Sequence, residues 1–136
     1  RLYLADIGMF SYQSGINTAA FFTKDSKNVL SGIFFENYVA NELVSKDIKL
    51  CYWKGKNYSE LEFLVESLGV VYPIDVKKGR GTLNSLEKYR NHNSNKIAIK
   101  ISKNNYGYDA NSKLLTIPLY EVFLLASDLS NGEFEI

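Results

Sequence analysis

The stretch from residue 49 to residue 102 constrains the fold more than any other part of the chain. Three short strand-like runs follow one another there, over residues 49–54, 59–66 and 70–77. In the second, Leu61, Phe63 and Val65 alternate with Glu60, Glu62, Leu64 and Glu66, the period of two expected of a strand. The connections Gly55-Lys56-Asn57 and Ser67-Leu68-Gly69 are short and contain glycine, which suits antiparallel hairpins. Gly79 and Gly81 then break the pattern. Residues 82–92 read as a helix with Thr82 as N-cap, and residues 96–102 as a buried strand. A helix between two strands of one sheet needs a crossover, so at least one parallel pairing must join the antiparallel hairpins. The expected class is α/β, or mixed α+β, with a mixed sheet flanked by helices.

The flanks fit one domain over residues 1–136, a length sufficient for a single core, with no repeat, low-complexity tract or linker. Residues 6–12 read as a helix, residues 23–28 as a polar break, and residues 30–46 as a longer helix. In that longer helix Ile33, Ala40, Leu43 and Val44 fall at helical spacing. After a Gly/Asn-rich loop, residues 113–118 read as a strand and residues 119–129 as an apolar helix. That helix belongs to the core, or covers a preceding part of the protein or a second copy of the chain. The opening Arg1-Leu2-Tyr3-Leu4 has no initiator Met and already lies in an apolar pattern, as if cut from a longer polypeptide.

Several function classes find little support. No apolar run approaches the roughly 20 residues of a membrane span, and no signal peptide is visible, so the chain reads as cytoplasmic. The single cysteine, Cys51, lies in the apolar run Leu50-Cys51-Tyr52-Trp53 and reads as a buried thiol. There is no Cys/His set for zinc, and the single histidine, His92, lies in a polar run and reads as a surface residue. Tyr106 and Tyr108 read as packing residues of a turn, with base stacking as the alternative. The net charge of +1 is unevenly spread: residues 77–103 hold eight Lys/Arg against Glu87 alone. Lys78, Arg80, Lys88 and Arg90 in that segment either touch phosphates or form a solvated face.

The informative carboxylates are those that interrupt apolar patterns. Glu36 falls three residues after Ile33 and four before Ala40, inside the helix's apolar stripe, where an unpaired charge is costly to bury. Asp75 ends the apolar run Val70-Val71-Tyr72-Pro73-Ile74 and shares a strand face with Lys77. Pro73 argues against a central position, since it cannot donate to a ladder. A hairpin brings Glu62 near Asp75, and the helix of Glu36 can pack over both. Convergent acids need neutralising, either by Lys77 in a purely structural cluster or by a hard divalent cation such as Mg²⁺ or Mn²⁺. The second arrangement is the outline of a phosphodiester hydrolase.

The same residues carry a family resemblance. Residues 2–10 (LYLADIGMF), 32–43 (GIFFENYVANEL), Tyr52-Trp53 with 59–63 (SELEF), 73–79 (PIDVKKG) and 117–120 (IPLY) resemble, in order, one C-terminal domain family. It is catalogued as domain of unknown function 4143 and follows AAA-type ATPase domains in many bacterial and archaeal proteins. That family is similar to the PD-(D/E)XK nuclease superfamily, which implies a restriction-endonuclease-like core. By this resemblance Glu36 matches the helical acid, Glu62 stands where a metal-binding aspartate is usual, and Asp75 and Lys77 match the (D/E)-x-K pair. Glu36, Glu62 and Asp75 would hold Mg²⁺ or Mn²⁺ and Lys77 would assist the attacking water. The chain departs from the pattern at Glu62, one methylene longer than Asp. The resemblance also implies an upstream ATPase domain as partner. This chain has no G-x-x-x-x-G-K-[ST] loop, so it is not expected to hydrolyse ATP. Two functions follow as expectations: a metal-dependent DNA nuclease domain, or a non-catalytic regulatory or interaction module keeping the same fold.

Overall fold

The computed structural model describes residues 2–15, 29–56, 59–77, 82–93 and 97–136. The expected polar break at 23–28 and the turn at 79–81 lie outside them, as do Lys78 and Arg80. The described residues form helices α1 (Ile7–Gln13), α2 (Val29–Val44), α3 (Asn84–Asn93) and α4 (Val122–Asn131). The strands are β1 (Cys51–Lys54), β2 (Glu60–Ser67), β3 (Val70–Lys77), β4 (Ala98–Ser102), β5 (Gly107–Asp109) and β6 (Leu114–Pro118). One sheet contains all six strands in the order β1-β2-β3-β4-β6-β5. β1, β2 and β3 pair antiparallel, β3–β4 and β4–β6 pair parallel, and β5 closes antiparallel on β6. The class is mixed α+β, and α3 supplies the crossover that joins β3 to its parallel neighbour β4. None of these helices is long and apolar enough to cross a membrane.

Two layers cover the sheet. On one side α2 and α4 pack Phe35, Val39, Leu43, Val122, Leu125 and Leu129 against Phe63, Ile74, Ile99 and Ile101. Each such fully buried side chain contributes about 1.5–3 kcal/mol. On the other side α3 places Leu86 and Tyr89 against Leu61 and Ala98. Hydroxyls tie up carbonyls near the helix ends, which lack partners within the helix. Ser67 Oγ donates to Leu129 O at 2.6 Å, and Ser130 Oγ donates to Lys46 O at 3.0 Å.

Several expectations change. The buried stripe of α2 is Phe35, Val39, Ala40 and Leu43, while Ile33 and Val44 are about half exposed, at 48% and 54%. The helix is apolar on most sides, so its periodicity does not say which side meets the sheet. Cys51 is exposed, not buried, because β1 is an edge strand covered by a single neighbour. Tyr106 and Tyr108 are also exposed, and the expected loop around them contains the edge strand β5. α3 begins two residues after Thr82, with Glu87 N donating to Leu83 O at 2.9 Å across its first turn. β3 is an interior strand despite Pro73. The parallel ladder to β4 starts at Ile74, one residue after the proline that lacks an N–H.

The hairpin between β2 and β3 turns on Leu68 and Gly69, both with positive φ (49° and 78°), as a two-residue type I′ turn requires. Leucine is an uncommon residue in that conformation. Gly132, at the C-cap of α4 with φ 72°, is needed there: a Cβ would stand 2.8 Å from the Leu68 side chain.

Candidate functional site

Each acid is placed by a different element. Glu36 projects from the middle of α2 and is half-buried. Its neighbour Asn37 is buried and clamps the N-terminal segment: its Oδ1 accepts from Leu4 N at 2.7 Å, and its Nδ2 donates to Leu4 O at 2.9 Å. That clamp carries Tyr3 to within 5.8 Å of the Phe63 ring. Tyr3 then lines a cleft of about 350 Å³ with Leu50, Cys51, Tyr52, Glu62 and Phe63. Neither Asn37 nor Tyr3 carries a signal in the sequence, because their roles depend on contacts across more than thirty residues.

Glu62 owes its position to an irregularity in β2. The β1–β2 register steps from Cys51 opposite Leu64 to Trp53 opposite Leu61, so Glu62 and Phe63 together stand opposite Tyr52. This β-bulge breaks the simple alternation. Leu61 therefore packs with the α3 layer, while Phe63 and Val65 enter the α2/α4 core. On the other flank, the β2–β3 ladder runs as far as Phe63 opposite Ile74. Glu62 and Asp75 each lie one residue further along, where the paired register ends.

Asp75 is fully buried, and Lys77 Nζ donates to its Oδ1 at 2.6 Å. Glu62 is buried too. Its carboxyl is pushed up to about 8, first by burial and then by hydrogen bonding to Asp75 and repulsion from its charge; Lys77 only partly opposes this. Burial alone would lower the Lys77 pKa. Its hydrogen bond to Asp75 and the charges of Asp75, Glu62 and Glu36 outweigh that and raise it, so the ammonium stays charged. Glu36, Glu62, Asp75 and Lys77 thus share one electrostatic neighbourhood. Two oxygens in it, Glu62 Oε2 and Asp75 Oδ2, are buried and meet no donor of another residue, apart from a proton shared between the two carboxyls. A buried carboxylate oxygen in that condition is costly unless a proton or a cation reaches it. Among the described residues, no three His, Cys, Asp or Glu side chains are grouped as a ready-made metal site.

The described residues of the basic segment do not form one patch. Lys77 is turned to Asp75, Lys103 lies 5.3 Å from the Phe35 ring centre on the α2 side, and Lys88 and Arg90 stand on α3. Lys88 Nζ donates to Ser59 Oγ at 2.8 Å, and Arg90 donates to Ser112 O at 2.6 Å. His92 is exposed, as its polar surroundings suggest.

Comparison with known families gives one match. The sequence pattern of the family described as Domain of unknown function (DUF4143) covers residues 31–120, more than half of the chain. The chain belongs to this family. The matched stretch runs from α2 through the 3₁₀ turn Leu119–Glu121, so it contains Glu36, Glu62, Asp75 and Lys77. No curated protein and no solved structure matches the chain.

Proposed function

We propose that this member of the family is a nuclease-like domain that hydrolyses phosphodiesters, DNA first among them, with Mg²⁺ or Mn²⁺, and serves an AAA-type ATPase in the same protein. The observation that carries the reading is the pair of buried carboxyls of Glu62 and Asp75, which share one proton between them and present Oε2 and Oδ2 to no other donor, beside a fixed lysine. Their donor set fits a hard cation. Mg²⁺ commonly takes only one or two carboxylates and fills its remaining positions with water and substrate phosphate, so a third clustered ligand is not required.

A divalent ion bound there would polarise the phosphodiester and lower the pKa of a bound water. The chain's own groups supply the rest. Glu62 and Asp75 would hold the ion, and Glu62 would have to give up its proton for it to enter. Lys77, anchored on Asp75, keeps further N–H donors for a phosphate oxygen and steadies the charge that develops there. Glu36 helps keep that lysine protonated. The resemblance read from the sequence to PD-(D/E)XK nucleases implies the same assignment, with Glu62 in the place of the usual aspartate.

A second reading, a non-catalytic interaction module, draws on the absence of a three-ligand set among the described residues. It also draws on the exposed apolar side chains Tyr120, Phe123 and Leu124 at the start of the C-terminal helix. Incubating the protein with plasmid DNA separates the two. The hydrolytic reading predicts nicking with Mn²⁺, none with EDTA, and a rate reduced about a hundredfold or more by Asp75→Ala or Lys77→Ala. Equal rates in wild type and both variants, or no cleavage with either metal, would leave the interaction module as the account.

A further inference from the structure

On the α3 side of the sheet, a cleft of about 500 Å³ opens between α3 and the turn that follows β1. It is lined by Trp53, Lys54, Gly55, Lys56, Lys88 and His92. The wall holds three ammonium groups, an imidazole and an indole, and no carboxylate among its described residues. Glu60 stands 4.0 Å from Lys54 Nζ with both side chains exposed, too weak a pair to neutralise the cleft.

The parts are fixed in place. Trp53 lies against the turn backbone so closely that a Cβ at Gly55 would fall 2.2 Å from the ring, and Tyr89 meets the indole edge-on at 5.6 Å. Lys88 is held by Ser59, which is only 6% exposed. His92 Nδ1 is 2.7 Å from Lys88 O. A carbonyl can only accept, so this assigns the hydrogen to Nδ1 and leaves Nε2 for a ligand.

An inorganic anion would engage the cations and leave the indole idle, and an apolar ligand would do the reverse. A nucleotide engages both: base–aromatic stacking joined to phosphate–lysine pairing is the usual chemistry of single-strand recognition. We propose that this cleft binds a nucleotide unit, its base against Trp53 and its phosphate among Lys54, Lys56 and Lys88, either free or within a single strand. The site needs no metal and does not rest on the hydrolytic reading of the carboxylates.

Trp53 is the only tryptophan in the chain, so its fluorescence reports this cleft directly. The test is a fluorescence titration in EDTA and low salt with thymidine monophosphate and, separately, with an oligothymidylate of eight nucleotides. Saturable quenching is expected, weakened about tenfold or more in the Lys56→Gln/Lys88→Gln double variant. Circular dichroism of the double variant checks that its fold is intact. Comparable affinities for the two ligands identify a free-nucleotide pocket, whereas much tighter binding of the oligomer identifies a strand groove. No saturable change with either ligand, or equal quenching in the double variant, overturns the proposal.

Discussion

On the face of the sheet covered by α2 and α4, sixteen buried described residues form one core; on the face covered by α3, only Leu61, Leu86, Tyr89 and Ala98 do. The contrast shows where this chain tolerates charge. Asp75 points away from the larger core, since its strand neighbours Ile74 and Val76 both enter it, yet in the middle of the sheet it is wholly removed from water, and Glu62 nearly so. There a missing partner matters, because water cannot supply one. Beside the edge strand β1 the charges remain at the surface, around the partly covered ring of Trp53. Burial thus removes two acids from water in the middle of the sheet, and exposure leaves a cationic cleft beside its edge strand.

Removing the largest side chain of the deep core gives the strongest test of that contrast. Phe63→Ala should cost about 3–5 kcal/mol in urea unfolding, and the loss should exceed that of any single truncation on the α3 side. The charge prediction comes next. Glu62, flanked by Asp75 and Lys77 with Glu36 close to the lysine, has its pKa raised from 4.5 to about 8 in the fold. The folded state therefore binds the proton more tightly than the unfolded chain. Its contribution is complete below pH 4.5 and is lost as pH rises through about 8. In EDTA, stability should fall across that window by on the order of a few kcal/mol, and Glu62→Gln should remove the slope. A flat wild-type profile would show that Glu62 is not buried beside a charged Asp75.

On the shallow face, Leu86→Ala should cost about 2–3 kcal/mol, towards the lower end for a buried leucine because the thin layer can relax around the gap. A cost matching that of Phe63→Ala would erase the distinction between the two faces. The smallest effect belongs to the hairpin that borders both. Leu68→Asn places a residue suited to positive φ in the type I′ turn and should stabilise by about 0.5–1 kcal/mol, readable as a small rise in Tm.

The order from β2 to β4 is legible in the residues themselves: alternation marks the strands, Leu68-Gly69 marks the turn, and the helix read over 82–92 demands the parallel pair. Asp75 and Lys77 are legible for a related reason, since a charge ending an apolar run stands out. What escaped depends on contacts distant in sequence. The bulge at Glu62 and Phe63 arises from how β2 matches β1, and period-two reading puts Leu61 on the wrong side of the sheet. The orientation of α2 is set partly by Asn37 gripping Leu4, so Ile33 turns outward although its spacing fits a core stripe. Cys51 and Tyr108 are apolar or aromatic by type, yet they sit on edge strands, and strand order is not written in local composition.

The central claim is that Glu62 and Asp75 form a cation site, and calorimetric titration of Mn²⁺ at pH 7 and at pH 8.5 tests it most directly. The account predicts a single binding event, tighter at the higher pH because Glu62 no longer holds its proton, and absent in Asp75→Ala. No heat beyond dilution at either pH, or identical binding by wild type and Asp75→Ala, would contradict it.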